Sequence, residues 1–152
     1  MLRQELGDFS SIVCFKAAIT GMEDALGDKA TAIALTTAGR NRGKKLAKDL
    51  GLEGLSGSWD VVASKLGHAL GKDGTRLCII NQIIEDGEVI RVYTSDTLCS
   101  AGEELGSERK CTFTMGAVWG ALEKVLNKRL QGKHIESVLR GGSHDVFEFK
   151  PL

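Results

Sequence analysis

Apolar side chains at Phe9, Ile12, Val13, Ala17, Ile19 and Met22 recur at helical spacing until Gly27-Asp28 interrupts them. They predict a first helix, with Asp8, Ser10 or Ser11 available as its cap. A second helix is predicted from about Lys29 to Leu50, with Gly51 as its stop. "GLEGLSGSW" reads as a loop. Ser58 then reads as the N-cap of a third helix carrying Val61, Val62, Leu66 and Leu70, closed by Gly71. Beyond "GKDG" the period changes. "TRLCIINQII" and "EVIRVYT" are rich in β-branched residues and flank Glu85-Asp86-Gly87, which predicts a hairpin. "SDTLCSAGEELGSERK" is a polar connection. The strongest helical pattern covers Cys111–Gln131, with Gly132 as its expected end. "KHIESVLR" and "HDVFEFKP" flank Gly141-Gly142 and predict a second hairpin.

Three helices, a hairpin, a helix and another hairpin describe an α+β domain. Its four-stranded antiparallel sheet packs on four helices, and residues 1–152 form a single domain. Two helices carry glycines one turn apart, Gly39 and Gly43 in the second, Gly116 and Gly120 in the fourth. Each interior helical glycine costs roughly 0.5–1 kcal/mol relative to alanine. In "CTFTMGAVWGALEKVL", Met115, Trp119, Leu122 and Leu126 centre an apolar stripe. Gly116 and Gly120 flank it beside Glu123 and Asn127, and Ala117 and Ala121 flank it on the other side. Two accounts fit. The small residues pack helices closely within the domain, or they leave room for a channel or a dimer partner, and the two can hold together.

Composition narrows the function. Hydrophobic residues make up 42% of the chain, and 20 basic residues balance 20 acidic ones, so no global field recruits nucleic acid. No segment approaches the roughly 20 apolar residues of a membrane span, and the N-terminus lacks a signal-peptide core. Cys14, Cys78, Cys99 and Cys111 form no C-x-x-C pair. All four can be reduced, so the expected location is cytoplasmic. Cys111, at a helix start, is either an activated thiolate or a buried small hydrophobe. The run "RNRGKKLAK" reads as a solvated helix face, with phosphate or lipid-headgroup binding as its alternative. His68, His134 and His144 lie in different elements without metal-ligand spacing. Ser143-His144-Asp145 reads as a turn, since consecutive residues do not reproduce triad geometry. There is no Walker-type loop and no G-x-G-x-x-G after a strand.

"GAVWGALEKVLNKRLQGKHIESVLRGGSHDVFEF" joins a G-x-x-x-G-A-L-E helix, an extended acidic segment, a glycine turn and a last aromatic strand. It resembles the Bet-type core subunits of the eukaryotic transport protein particle (TRAPP) and the related four-vinyl-reductase ligand-binding domains. "AGRNRGKKLAKDL" resembles that family's glycine-paired helix, and "SWDVVASKLGHALG" its next helix. The resemblance spans most of the chain and is weakest from Thr75 to Lys110. It implies a four-stranded sheet on helices, usual dimerisation, and in several members an apolar guest among the helices. Other members sense small aromatics or take part in tetrapyrrole pathways. Two departures stand out. The loop Gly51–Ser58 lacks the cysteine that carries an acyl group in a TRAPP subunit. Of the E-x-x-C…C pattern of the vinyl-reductase group, Glu136 matches the acid, but Leu139 and Phe147 occupy the cysteine positions. Cys111 alone matches a family cysteine, and no metal or other cofactor is expected.

The expected function is non-enzymatic binding of a hydrophobic small molecule, as carrier or sensor, with the fourth helix as one wall. Gly39, Gly43, Cys111, Gly116, Trp119 and Gly120 are the expected lining, and Glu136 would orient a ligand's polar end. The alternative is a dimeric scaffold or assembly factor for a protein complex, in one version chlorophyll-related. A tetrapyrrole reductase is a third reading. A homodimer is expected, and peripheral membrane contact stays open.

Overall fold

The computed structural model describes residues 1–152. Helices α1 (Ile12–Leu26), α2 (Asp28–Asp49) and α3 (Trp59–Leu70) precede strands β1 (Ile79–Asp86) and β2 (Val89–Ser95). Helix α4 (Thr112–Leu126) and strands β3 (Leu130–Glu136) and β4 (Asp145–Pro151) follow. The sheet is antiparallel in the order β1-β2-β4-β3, so each hairpin contributes an outer strand and β2 pairs with β4. This is the expected α+β architecture. No helix is long and apolar enough to cross a membrane.

Local chemistry explains most boundaries. Ser11 is the N-cap of α1, its hydroxyl accepting from Val13 N at 3.1 Å. Gly27, at φ 84°, separates α1 from α2 with a single residue, a conformation that a side chain would strain. The first strand starts at Ile79, later than expected, and runs through Glu85-Asp86, so the turn is at Gly87-Glu88. The largest departure is the end of α4. The helix stops at Leu126, where Asn127 adopts the left-handed conformation and donates to Glu123 O. Asparagine tolerates that conformation almost as glycine does. Residues 130–136 are then strand, and Gly132 lies inside β3, where a Cβ would meet the Trp119 and Phe149 rings.

One sheet face is covered and the other is wet, as antiparallel sheets permit. Ile90, Val92, Phe147 and Phe149 are buried, while Arg91 and Glu148 pair across strands at 3.0 Å on the other face. Helix α3 packs on β1 and α4 on β3, and α2 lies across α4. Helix α4 is therefore central, with buried residues around most of its circumference. Glu123 is buried within it. Its carboxylate takes Arg40 Nη2 at 2.6 Å and Leu130 N at 3.0 Å, joining α2, α4 and β3.

Candidate functional site

The four glycines come together where α2 crosses α4, and the crossing is filled. A Cβ on Gly39 or Gly43 would lie under 3.0 Å from backbone atoms of Phe113 or Ala117. One on Gly116 or Gly120 would meet the backbone of Thr36 or Arg40 equally closely. Of the two accounts of these glycines, close helix packing is the geometry found, and their immediate surroundings hold neighbouring backbone. Trp119 lies at the edge of the crossing. Its ring carries the Arg40 guanidinium at 4.5 Å, and its Nε1 donates to Leu130 O at 3.0 Å. Glu136 is on a different part of the molecule. Its carboxylate accepts from Ser143 N at 2.9 Å and braces the β3–β4 connection.

An apolar space lies beneath the start of α1. Residues 9–15 stand off from the C-terminal end of α3 and leave a cavity of about 600 Å3, within the range of small-molecule pockets. Buried Leu70 and Leu77 form its floor. Phe9, Ile12, Phe15, Leu98 and Phe113 form its apolar walls, with Phe15 and Phe113 meeting edge to face at 5.6 Å. Phe113 belongs to the first turn of α4, so that helix does contribute one wall. Arg42 and Arg76 are the only charged residues in the lining. Arg76, at φ 57°, sits over the Phe9 ring at 4.7 Å. A second cleft, of about 550 Å3, lies where α1 meets α2, and two of its charged residues, Glu23 and Arg109, hold each other. Arg109 pairs with Glu23 at 2.9 Å and with Glu103 at 2.6 Å, and Lys16 reaches Glu103 at 2.7 Å.

Behind the first turn of α4 is a buried polar cluster. Cys111 is bonded to Cys99, which corrects the expectation of four reducible, unpaired thiols and removes the thiolate reading of Cys111. Beside the disulfide, the Asp145 carboxylate accepts from Ser100 Oγ at 2.8 Å and Thr97 Oγ1 at 3.0 Å, and meets His134 Nε2 at 3.2 Å. Burial pushes the Asp145 pKa up, but hydrogen bonds from His134, Ser100, Ser137 and Thr97 outweigh it and bring it down to about 2. Cys78, unpaired and buried, goes the other way. Burial, and then the Asp145 charge, raise its thiol to about 12, so it is chemically inert. Donor atoms of Cys111, His134 and Asp145 lie within 4.8 Å of one another. With the Cys111 sulfur in a disulfide, two ligands remain, short of the three or four a zinc site needs.

Ser143, His144 and Asp145 do not act together. Ser143 Oγ lies 2.9 Å from His144 Nδ1 at the exposed turn, whereas Asp145 turns inward to His134. Asp145 and His134 are the functional-site residues that the sequence patterns above leave out, although they carry a local signal. Asp145 shares strand parity with the core residues Phe147 and Phe149, and His134 with Leu130, which places both on the covered face. The pocket residues carried no such local signal, because they come from five separate segments.

No protein-family model and no curated protein matches the sequence. Solved structures do match at the level of fold. One is the phenol-responsive sensory domain of the transcription activator PoxR, with phenol, at TM-score 0.70 and 15% identity, covering 95% of this chain and 76% of that one. Another is trafficking protein particle complex subunit 3 from Naegleria fowleri, covalently bound to palmitic acid, at TM-score 0.58 and 14% identity, covering 93% and 92%. The chain thus has the fold common to that sensory domain and that trafficking subunit, as the glycine-paired helix and the hairpin after it imply.

Proposed function

We propose that this protein is a non-enzymatic binding domain for a hydrophobic small molecule, acting as carrier or sensor. The apolar cavity of about 600 Å3 beneath α1 carries the proposal. Its support at the level of fold is that one structural neighbour holds phenol and another holds palmitic acid. The ligand site moves from the glycine crossing to the cavity, with α4 as a wall through Phe113. An acyl chain or a small aromatic suits the volume and the apolar lining. Native mass spectrometry with solvent extraction tests the proposal, together with titration of aliphatic and aromatic probes. A protein that emerges empty and binds no apolar probe would sink it.

A dimeric scaffold or assembly factor is the second reading. It is favoured by apolar side chains left uncovered on the outer faces of α1 and α2, with Val13 73%, Leu26 62% and Ile33 61% exposed. Sedimentation at high micromolar concentration tests dimerisation, and a monomer there counts against it. The cytoplasmic location is also a proposal, and because the Cys99–Cys111 bond takes away its support from reduced thiols, it rests on cell fractionation, where recovery of the protein outside the cytoplasm would overturn it.

A further inference from the structure

The charges of the apolar cavity are all of one sign. Its lining contains Arg42 and Arg76 and no aspartate or glutamate. Elsewhere in the molecule partly buried arginines are paired. Arg40 holds Glu123, Arg91 holds Glu148, and Arg109 holds Glu23 and Glu103. Arg42 is half-buried like them and has no carboxylate partner, and Arg76, at the exposed rim of the same lining, has none either. Asp49, the acid that feels the field of Arg42, is itself held by Lys45 at 2.7 Å. Arg76 spends one donor, its Nε, on Lys72 O at 3.1 Å, and its guanidinium is propped over Phe9 at the cavity wall. Ser10 and Ser11 add hydroxyl donors to the same lining, whereas the Thr75 hydroxyl donates to Ala69 O at 3.3 Å. An apolar chamber with two cations and serine hydroxyls complements a molecule with an apolar body and one anionic head. A neutral hydrocarbon would leave the half-buried Arg42 guanidinium without a counter-charge and make no use of Arg76.

The geometry points to an amphipathic monocarboxylate as the ligand, its body among Leu70, Leu77, Phe15 and Phe113 and its carboxylate between Arg42 and Arg76. This deepens the small-molecule reading above and rests on it. Arginine suits the role because its planar fork offers paired donors to a carboxylate and keeps its charge beside an apolar surface. Two bodies satisfy the same chemistry, an aliphatic chain or an aromatic ring.

Titration calorimetry with pairs matched in body and differing in charge separates the possibilities. Decanoate is set against decanol, and naphthoate against naphthol. At least one carboxylate should bind about tenfold or more tighter than its alcohol, as charge-assisted hydrogen bonds require. The pair with the stronger carboxylate identifies the body. In the double variant Arg42→Gln/Arg76→Gln the preference should fall within about twofold, with alcohol binding retained, and Arg42→Lys/Arg76→Lys should restore part of it. Equal binding of acids and alcohols by the unaltered protein overturns the carboxylate assignment and leaves the hydrophobic-ligand reading intact. A preference that survives the glutamine double variant overturns the role of these arginines. Failure of every probe to bind overturns both. Circular dichroism checks the fold. Should the double variant unfold, Arg76→Gln alone, at an exposed side chain, must still reduce the preference or the proposal fails.

Discussion

Helix α2 has two seams, and they are built on opposite principles. Against α4 it presents Gly39 and Gly43 to Gly116 and Gly120, so backbone meets backbone and nothing else fits. Towards α1 it presents Thr31 and Leu35 at one end and Arg42 at the other, and the chain stands off far enough for two clefts. Four glycines would be costly to helix propensity on their own. Here close contact along the crossing and the burial of α4 offset that cost. Helix α1 has no comparable contact, since Ile19 is its only buried residue. It is held mainly by ions, with Lys16 bonded to Cys99 O, Ala101 O and Glu103, and Glu23 to Arg109. The lesson is one of division. Small residues make the rigid half of the helical layer, and bulky residues on a lightly anchored helix make the half with space.

The sharpest way to break this comparison is to add a methyl group on each side. Gly43→Ala/Gly120→Ala should destabilise the domain by about 3 kcal/mol or more, because each Cβ overlaps backbone that cannot rotate away. Urea unfolding that shows a loss below about 0.5 kcal/mol would mean that the crossing is looser than described. Reducing the Cys99–Cys111 bond, which closes a loop of sequence separation 12, should cost about 2–3 kcal/mol. Native-state hydrogen exchange then sharpens the contrast, since protection should fall around residues 96–111 and in α1 before it falls at the α2–α4 crossing.

Acid should act through the polar cluster behind α4. Asp145 has a folded pKa of about 2, below its ordinary 3.8. It therefore contributes stability that is complete above about pH 4 and is lost as pH falls through the folded value. The contribution is about 2 kcal/mol, and Asp145→Asn should remove it and flatten unfolding free energy between about pH 5 and pH 2. A variant that keeps the full acid dependence assigns it to other carboxylates. The smallest effect has the opposite sign. Gly21 is helical in α1 with open space where a Cβ would stand. Gly21→Ala should therefore stabilise by roughly 0.5–1 kcal/mol in the same urea experiment that destabilises the crossing. A loss of stability at Gly21 would reveal a close neighbour on α1, and the two seams would no longer differ in kind.

Helical and alternating apolar periods were enough to place four helices and four strands in order, because those periods arise from contacts within a few residues. The glycine pairs stand in the sequence itself, and the fold resemblance rests on the G-x-x-x-G-A-L-E motif and the segments that follow it. The end of α4 escaped the apolar periods because Asn127 supplied a stop where glycine was expected. Pairing across the chain was another matter. That Gly43 would meet Ala117 and Gly120 would meet Arg40 depends on how two distant helices cross, which no local window contains. The joining of Cys99 to Cys111, the inward turn of Asp145 onto His134, and the meeting of Phe9, Arg42, Leu70, Leu98 and Phe113 around one cavity have the same origin. Periodicity states which face of each element is buried. Only packing of those faces decides what each is buried against, and where the fit leaves room.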